Sequence, residues 1–112
     1  MSRASLLAVL TLLLALAGCR SQRLDVTIQN HTGSAIDLLE VDYPSASFGL
    51  EHLDSGAAYH YRIQTRGSGL LLMHFTEAAT HVQRQISGPT LQQGQSGELH
   101  VELLPGGKAN FQ

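Results

Sequence analysis

Apolar and polar residues alternate along most of the chain after residue 23, in short segments separated by Gly, Pro, Asn, Asp and Ser. Alternation with a period of two places successive side chains on opposite faces of a strand, so each segment predicts a half-buried strand. We find no helical period of useful length in this region. The pattern predicts strands over residues 24–29, 35–43, 47–53, 59–64, 70–75, 81–86 and 98–103.

The second predicted strand changes its parity. Its apolar residues fall on even positions up to Leu38 and on odd positions from Leu39 to Tyr43. One extra residue in a strand re-aims every side chain after it, so we expect a β-bulge near Leu38. Pro44 then ends the strand, because it has no N–H group for the ladder.

In the next two strands, parity predicts which side chains face inward. His52 shares the parity of Phe48 and Leu50, which predicts that all three lie on one face. Tyr59 and Tyr61 fall on the apolar parity of their strand, so we expect both rings to help fill the core.

About seven such strands predict an all-β domain over residues 24–104, most economically a small antiparallel β-sandwich, because a single sheet would leave its apolar face wet. The topology resembles an immunoglobulin-like domain at the level of fold only, since the chain has no Trp and no pair of Cys. A small β-barrel is the alternative. Pro105, Gly106 and Gly107 end the last strand, so we expect residues 105–112 to form a loose tail.

The first 18 residues have the features of a cleaved signal peptide. Arg3 supplies a positive charge, and a nearly unbroken apolar segment runs from Leu6 to Ala17. A transmembrane helix needs about 20 apolar residues, and this segment ends after roughly a dozen, so export with cleavage is the better interpretation.

The segment Leu16-Ala17-Gly18-Cys19 resembles the lipobox of bacterial lipoproteins. The resemblance covers only the export segment, and it implies that Cys19 is acylated, as with palmitate, and becomes the first residue of the mature protein. Cys19 is the only Cys in the chain, and acylation gives this exported thiol a use. Residues 19–23 are then a short tether to the membrane.

The resemblance also implies a location in the cell envelope. Arg20 follows the lipidated Cys, where an Asp would resemble an inner-membrane retention signal of enteric bacteria. We therefore expect the outer membrane, facing the periplasm, in a host with two membranes. In a host with one membrane, we expect the outer face of the cytoplasmic membrane.

Charge and motifs point away from several function classes. With residues 1–18 removed, 6 of the 7 Lys and Arg remain against 9 Asp and Glu, and no basic cluster predicts nucleic-acid binding. The chain lacks a Gly-x-Ser-x-Gly elbow and a P-loop, so we expect no catalytic residue and no cofactor.

Two features remain as candidates for binding. Leu70 and Leu72 fall on the face of their strand that is normally polar, which predicts either cover by residues 87–97 or a patch for a partner. The second feature is the set of histidines. We expect five of the 6 His at the surface, namely His31, His60, His74, His81 and His100. Their spacing is not that of metal ligands, so we predict no metal site.

These observations predict a noncatalytic, membrane-anchored interaction or structural module of the bacterial envelope, with an envelope protein as its partner. The alternative is a lipoprotein that binds a small ligand or a metal such as copper or zinc through surface His residues. An enzyme is the third interpretation.

Overall fold

The structure, a computed structural model, describes residues 22–112, and the expected signal peptide, Cys19 and most of the tether lie outside this range. The described residues form eight strands without helices. The strands are β1 (Leu24–Asn30), β2 (Ile36–Tyr43), β3 (Ala46–Leu53), β4 (Ala58–Ile63), β5 (Gly69–Glu77), β6 (Gln83–Leu91), β7 (Gly97–Leu104) and β8 (Lys108–Phe111).

The strands form two four-stranded sheets, with the orders β4-β1-β7-β8 and β3-β2-β5-β6. All pairs are antiparallel except β1 with β7, which run parallel. The predicted all-β sandwich is confirmed, and the two sheets do not close into a barrel. The resemblance to immunoglobulin domains is confined to the two-layer architecture, because β1 lies beside β4 and β7 here and not beside β2.

The core lies between the sheets and is made of alternate residues from both inner faces. Three of the four central strands, β1, β5 and β7, contribute a series with period two, as parity predicted. On β1 the buried residues are Leu24, Val26 and Ile28, on β5 they are Leu71, Met73 and Phe75, and on β7 they are Leu99, Val101 and Leu103. Because the chain has one Cys, no disulfide within it stabilises this fold, so apolar burial of about 1.5–3 kcal/mol per large side chain is its main source of stability.

The predicted bulge at Leu38 is confirmed. The pairing of β2 with β5 shifts by one residue between Asp37 and Glu40. Leu38 has a φ of 54° and is 68% exposed, whereas Leu39 after it is buried. The extra residue therefore returns the second half of β2 to the core face.

The expected loose tail is wrong. Residues 108–111 form β8, which pairs with β7 from Val101 to Leu104, and His100 exchanges two backbone hydrogen bonds of 2.9 Å with Gln112. Gly106 and Gly107 have φ values of 80° and 74°, so they form a tight turn and do not end the domain. Pairing with β8 satisfies the backbone groups on the free side of β7.

β6 is also longer than expected and continues to Leu91. Its pairing with β5 shifts between Leu70 and Leu72, which places Gly88 and Pro89 at a bulge. Proline is tolerated there because β6 is an edge strand. The expected long connection over residues 87–97 is therefore reduced to a loop over residues 92–96.

The tyrosines of β4 only partly meet the prediction that they fill the core. Tyr59 is half-buried, and Tyr61 is 42% exposed because β4 is an edge strand. Tyr61 stacks on Phe48 of the opposite sheet, with ring centroids 4.4 Å apart and an interplanar angle of 11°. The pair closes the open edge of the sandwich between β3 and β4.

The register assigns each loop to one of two ends. The entry end, as we call it, holds Gln22 and Arg23, the turn 44–45 and the loops 64–68 and 92–96. A Cβ atom on Gly94 would lie 3.2 Å from Oε1 of Gln22, so the chain enters the domain beside the last of these loops. The far end holds the loops 31–35, 54–57, 78–82 and 105–107.

The bulge gives a direct test of the structure. Because a left-handed conformation costs Leu about 1–2 kcal/mol and suits Asn, we expect Leu38→Asn to leave stability unchanged or raise it by up to about 1 kcal/mol. The matched control, Leu39→Ala, removes a buried side chain and should cost about 2–5 kcal/mol. Urea unfolding measures both, and equal losses from the two substitutions would contradict the bulge.

Candidate functional site

Three of the five Lys and Arg residues between positions 22 and 112 lie together at the entry end. Arg23, Arg62 and Arg66 line a shallow depression of about 400 Å³, together with Tyr43 and Tyr61. The depression joins residues that are up to 43 positions apart in sequence. We call these five residues the entry surface.

The three arginines differ in whether they are paired with a carboxylate. Arg62 Nε donates a hydrogen bond of 2.8 Å to Oδ1 of Asp25 on the neighbouring strand, and this bond raises the pKa of Arg62. Within residues 22–112, neither Arg23 nor Arg66 forms a salt bridge. Two exposed guanidinium groups are thus free to contact an anion.

The loop that carries Arg66 is held at both of its sides. The backbone N–H of Arg66 donates to Oγ of Ser45 over 3.3 Å. The buried Oγ1 of Thr65 donates to the carbonyl of Gln92 over 2.7 Å, and the N–H of Gly94 donates to the carbonyl of Thr65 over 2.9 Å. These bonds tie together the three loops of the entry end, so the position of Arg66 is fixed by the fold.

Two phenol rings border the arginines. Burial, and to a smaller extent the neighbouring Tyr61, raises the pKa of Tyr43 above its usual value of about 10. Tyr43 is therefore neutral at physiological pH and can donate a hydrogen bond. The entry surface combines fixed positive charges with amphipathic rings, which is the composition that favours phosphate groups at an apolar boundary.

The predicted patch of Leu70 and Leu72 is divided by the structure. Leu70, the second residue of β5, is 54% exposed and lies at the rim of the entry end. Leu72 is half-buried between Asp42 of β2 and Ser87 of β6. A role for the two residues in binding a partner stays a prediction.

The histidines lie in separate places on the surface. His60 and His100 flank Thr27 on the outer face of the first sheet, and His60 Nδ1 is 2.8 Å from Thr27 Oγ1. His31 and His74 each lie 3.3–3.4 Å from a carboxylate oxygen, of Glu102 and Asp42 respectively. Between residues 22 and 112, no three His, Cys, Asp or Glu side chains are grouped to hold a metal ion.

His52 is placed differently from the prediction that it shares a face with Phe48 and Leu50. It is exposed, with Nδ1 at 2.6 Å from Oδ1 of Asp37 and Nε2 at 2.7 Å from Oδ1 of Asp54. The hydrogen bond to Asp37 and then that to Asp54 raise the pKa of His52. Only the imidazolium can donate from both nitrogens, so this arrangement favours the charged form.

Sequence analysis did not predict the group formed by His52, Asp37 and Asp54, which we call the His52 cluster, or the grouping of residues in the entry surface. Asp54 follows His52 by two residues, but Asp37 reaches it only through the pairing of β2 with β3. The entry surface likewise depends on the fold, which brings the start of β1 and the ends of β2 and β4 to the same end of the domain. Cys19, the predicted lipidation site, lies outside the described residues. Residues 22–112 contain no helix of the length and hydropathy needed to cross a membrane.

Comparisons with known proteins give information about the fold alone. No family model matches this chain, and no curated protein sequence matches it. An NMR structure of a protein from Eubacterium rectale is similar in fold, with a TM-score of 0.59 and 10% identity, over 81% of this chain and 87% of that one. The similarity supports the two-sheet architecture.

The His52 cluster predicts how stability depends on pH. Because the pKa of His52 is higher in the folded state than its unfolded value of about 6.5, its contribution is complete below that value. The contribution is lost as pH rises through the folded pKa. We therefore expect His52→Gln to lower the melting temperature at pH 6 and to change it much less at pH 9.5.

Calorimetry of the wild type and the variant at both pH values measures this difference. His60→Gln is the matched control, since the ring of His60 contacts a hydroxyl and no carboxylate partner is recorded for it among residues 22–112. A His52→Gln variant that loses as much stability at pH 9.5 as at pH 6 would rule out the ionic origin of the effect.

Proposed function

We propose that this protein is a lipid-anchored lipoprotein of the bacterial envelope that acts as a noncatalytic interaction or structural module. The observation that carries the proposal is the segment Leu16-Ala17-Gly18-Cys19, placed directly after an apolar segment of signal-peptide length. The palmitate-bearing residue is Cys19. The location follows from Arg20: the outer membrane facing the periplasm in a host with two membranes, and otherwise the outer face of the cytoplasmic membrane.

The distance between Cys19 and the domain supports a role close to the membrane. β1 begins at Leu24, five residues after Cys19. At about 3.3–3.6 Å per residue, this tether spans less than about 20 Å even when fully extended. The domain is thereby confined to the neighbourhood of the lipid headgroups, with its entry end nearest to them.

This confinement favours a partner that is itself in or on the membrane. A short tether raises the effective concentration of the domain for neighbouring envelope proteins and gives no advantage toward a soluble ligand. Leu70 at the rim and the half-buried Leu72 are the apolar residues that we assign to such a contact.

The anchor is tested by Cys19→Ser. Because acylation requires the thiol, the variant should lose metabolic labelling with palmitate and accumulate with residues 1–18 attached. Gel mobility and mass spectrometry of the intact chain measure the second effect. Ser21→Ala, which leaves the lipobox intact, is the matched control and should be labelled and processed normally. A Cys19→Ser protein that still incorporates palmitate would refute the proposal.

A second candidate function is the binding of copper or zinc, or of a small ligand, through surface histidines. The observation that favours it is the position of His60 and His100 on either side of Thr27, over an open depression of about 610 Å³. Imidazole nitrogens suit both metals, but residues 22–112 hold no group of three ligating side chains, so this candidate rests on the two imidazoles alone.

Titration of the mature protein with zinc and with copper separates the two candidates. Under the leading proposal, we expect calorimetry to detect no stoichiometric binding below the micromolar range. Stoichiometric, sub-micromolar binding that is lost in a His60→Ala, His100→Ala variant and kept in a His31→Ala, His74→Ala control would replace the leading proposal with the metal-binding one.

A further inference from the structure

We propose that the entry surface docks on anionic lipid headgroups of the leaflet that holds the anchor, and so sets the orientation of the domain on the membrane. The inference rests on the proposed lipid anchoring at Cys19 and adds to it a specific binding surface and ligand. The ligand is the phosphodiester of an anionic lipid. The guanidinium groups of Arg23 and Arg66 are the groups that recognise it, beside Arg62, which is paired with Asp25.

The first argument is the distribution of charge. Residues 22–112 contain five Lys and Arg against 9 Asp and Glu, so the domain as a whole is repelled by an anionic surface. The three loops of the entry end contain no Asp or Glu, however. Three carboxylates lie in the strands beside these loops: Asp25, which Arg62 neutralises at 2.8 Å, its register partner Glu98, and Asp42.

The far end has the opposite character. Asp54, Glu77 and Glu102 lie in its loops or at the strand ends beside them, against Lys108 and Arg84, of which Arg84 is paired with Glu77 at 3.3 Å. The far end is the more acidic of the two, so an anionic membrane favours orientations in which the entry end faces it. Such a field orients a molecule even where the net attraction is small.

The second argument is the direction of the chain. Gln22 and Arg23 lie at the entry end, and only two residues separate Gln22 from Cys19. The end with unpaired arginines is thus the end that the anchor brings to the headgroups. Arg23, four residues from Cys19, can then come within a Debye length of the headgroups, about 8 Å at physiological salt, and Arg66 lines the same depression.

The third argument is the chemistry of the surface. Arginine forms paired hydrogen bonds with phosphate oxygens in a geometry that its planar fork matches. Tyr43 and Tyr61 each combine an apolar ring with a polar hydroxyl, a composition that is enriched at membrane–water interfaces. Together these residues match a lipid surface better than an acidic soluble ligand.

The test uses the mature lipidated protein in vesicles of phosphatidylcholine, with or without phosphatidylglycerol. Cys19 is the only Cys, so its acylation leaves an introduced thiol as the single labelling site. Fluorophores on Ser96→Cys at the entry end and on Ser55→Cys at the far end report proximity to headgroup quenchers. Phosphatidylglycerol should increase quenching at position 96 and decrease it at position 55.

The decisive comparison is between two double variants, each of which removes two positive charges from one end of the domain. Arg23→Gln with Arg66→Gln should lower the ratio of docked to undocked domain by about 25-fold, from about 1 kcal/mol per arginine near an anionic surface. Arg84→Gln with Lys108→Gln changes the net charge equally at the far end and should keep the orientation. Salt should weaken docking in the wild type, and circular dichroism checks that each variant is folded.

The outcomes separate this inference from the proposal on which it rests. Labelled wild-type protein whose quenching is the same in both lipid compositions would overturn the docking surface and leave the lipoprotein proposal intact. Equal loss of orientation in the entry-end and far-end variants would do the same. Absence of palmitate at Cys19 would overturn both.

Discussion

The buried amide of Asn30 is the constraint on which the far end of the domain depends. It has no exposed surface, and its Nδ2 donates to the carbonyls of Ser34, Leu53 and Asp54 at 2.8, 3.0 and 3.2 Å. Its Oδ1 accepts from the N–H of Thr32 at 3.1 Å. One side chain of the first sheet thus satisfies backbone groups in the loops that lead into and out of the second sheet. Leaving such groups buried without partners would cost about 1–3 kcal/mol each.

Thr65 has the corresponding role at the entry end, where its hydroxyl and carbonyl join the loops 64–68 and 92–96. Between these two polar residues, the buried interior is entirely apolar. Every buried side-chain polar atom in residues 22–112 has a hydrogen-bond partner. Hydrogen bonds therefore connect the two sheets at both ends of the domain, and apolar packing holds them together in between. This division explains how the entry surface can be held in place by loops and still present exposed arginines.

The alternation of apolar and polar residues correctly predicted features that depend on residues close together in sequence. It failed for features that depend on the order of the strands in the sheets. The Leu38 bulge was predictable because burial on both sides of it leaves a mismatch in the sequence itself. The exposure of Tyr61 was not, because it depends on β4 being an edge strand. β8 was missed because two glycines mark a turn and a chain end equally well. The exposure of Leu70 was predictable from its parity, whereas the pairing of His52 with Asp37 needed the register of β2 and β3.

A single surface charge contributes little to binding free energy, and this matters less for an anchored domain than for a soluble one. About 1 kcal/mol per arginine is too little to recruit a domain with net negative charge from solution. Under the proposed acylation of Cys19, a tether of five residues supplies the proximity separately, because it confines the domain to a shell less than about 20 Å from its lipid. The arginines then have only to choose among orientations that are already close to the surface. With Cys19 acylated as we propose, the anchor would determine where the domain is, and the charge asymmetry between its two ends would determine which face neighbouring proteins meet.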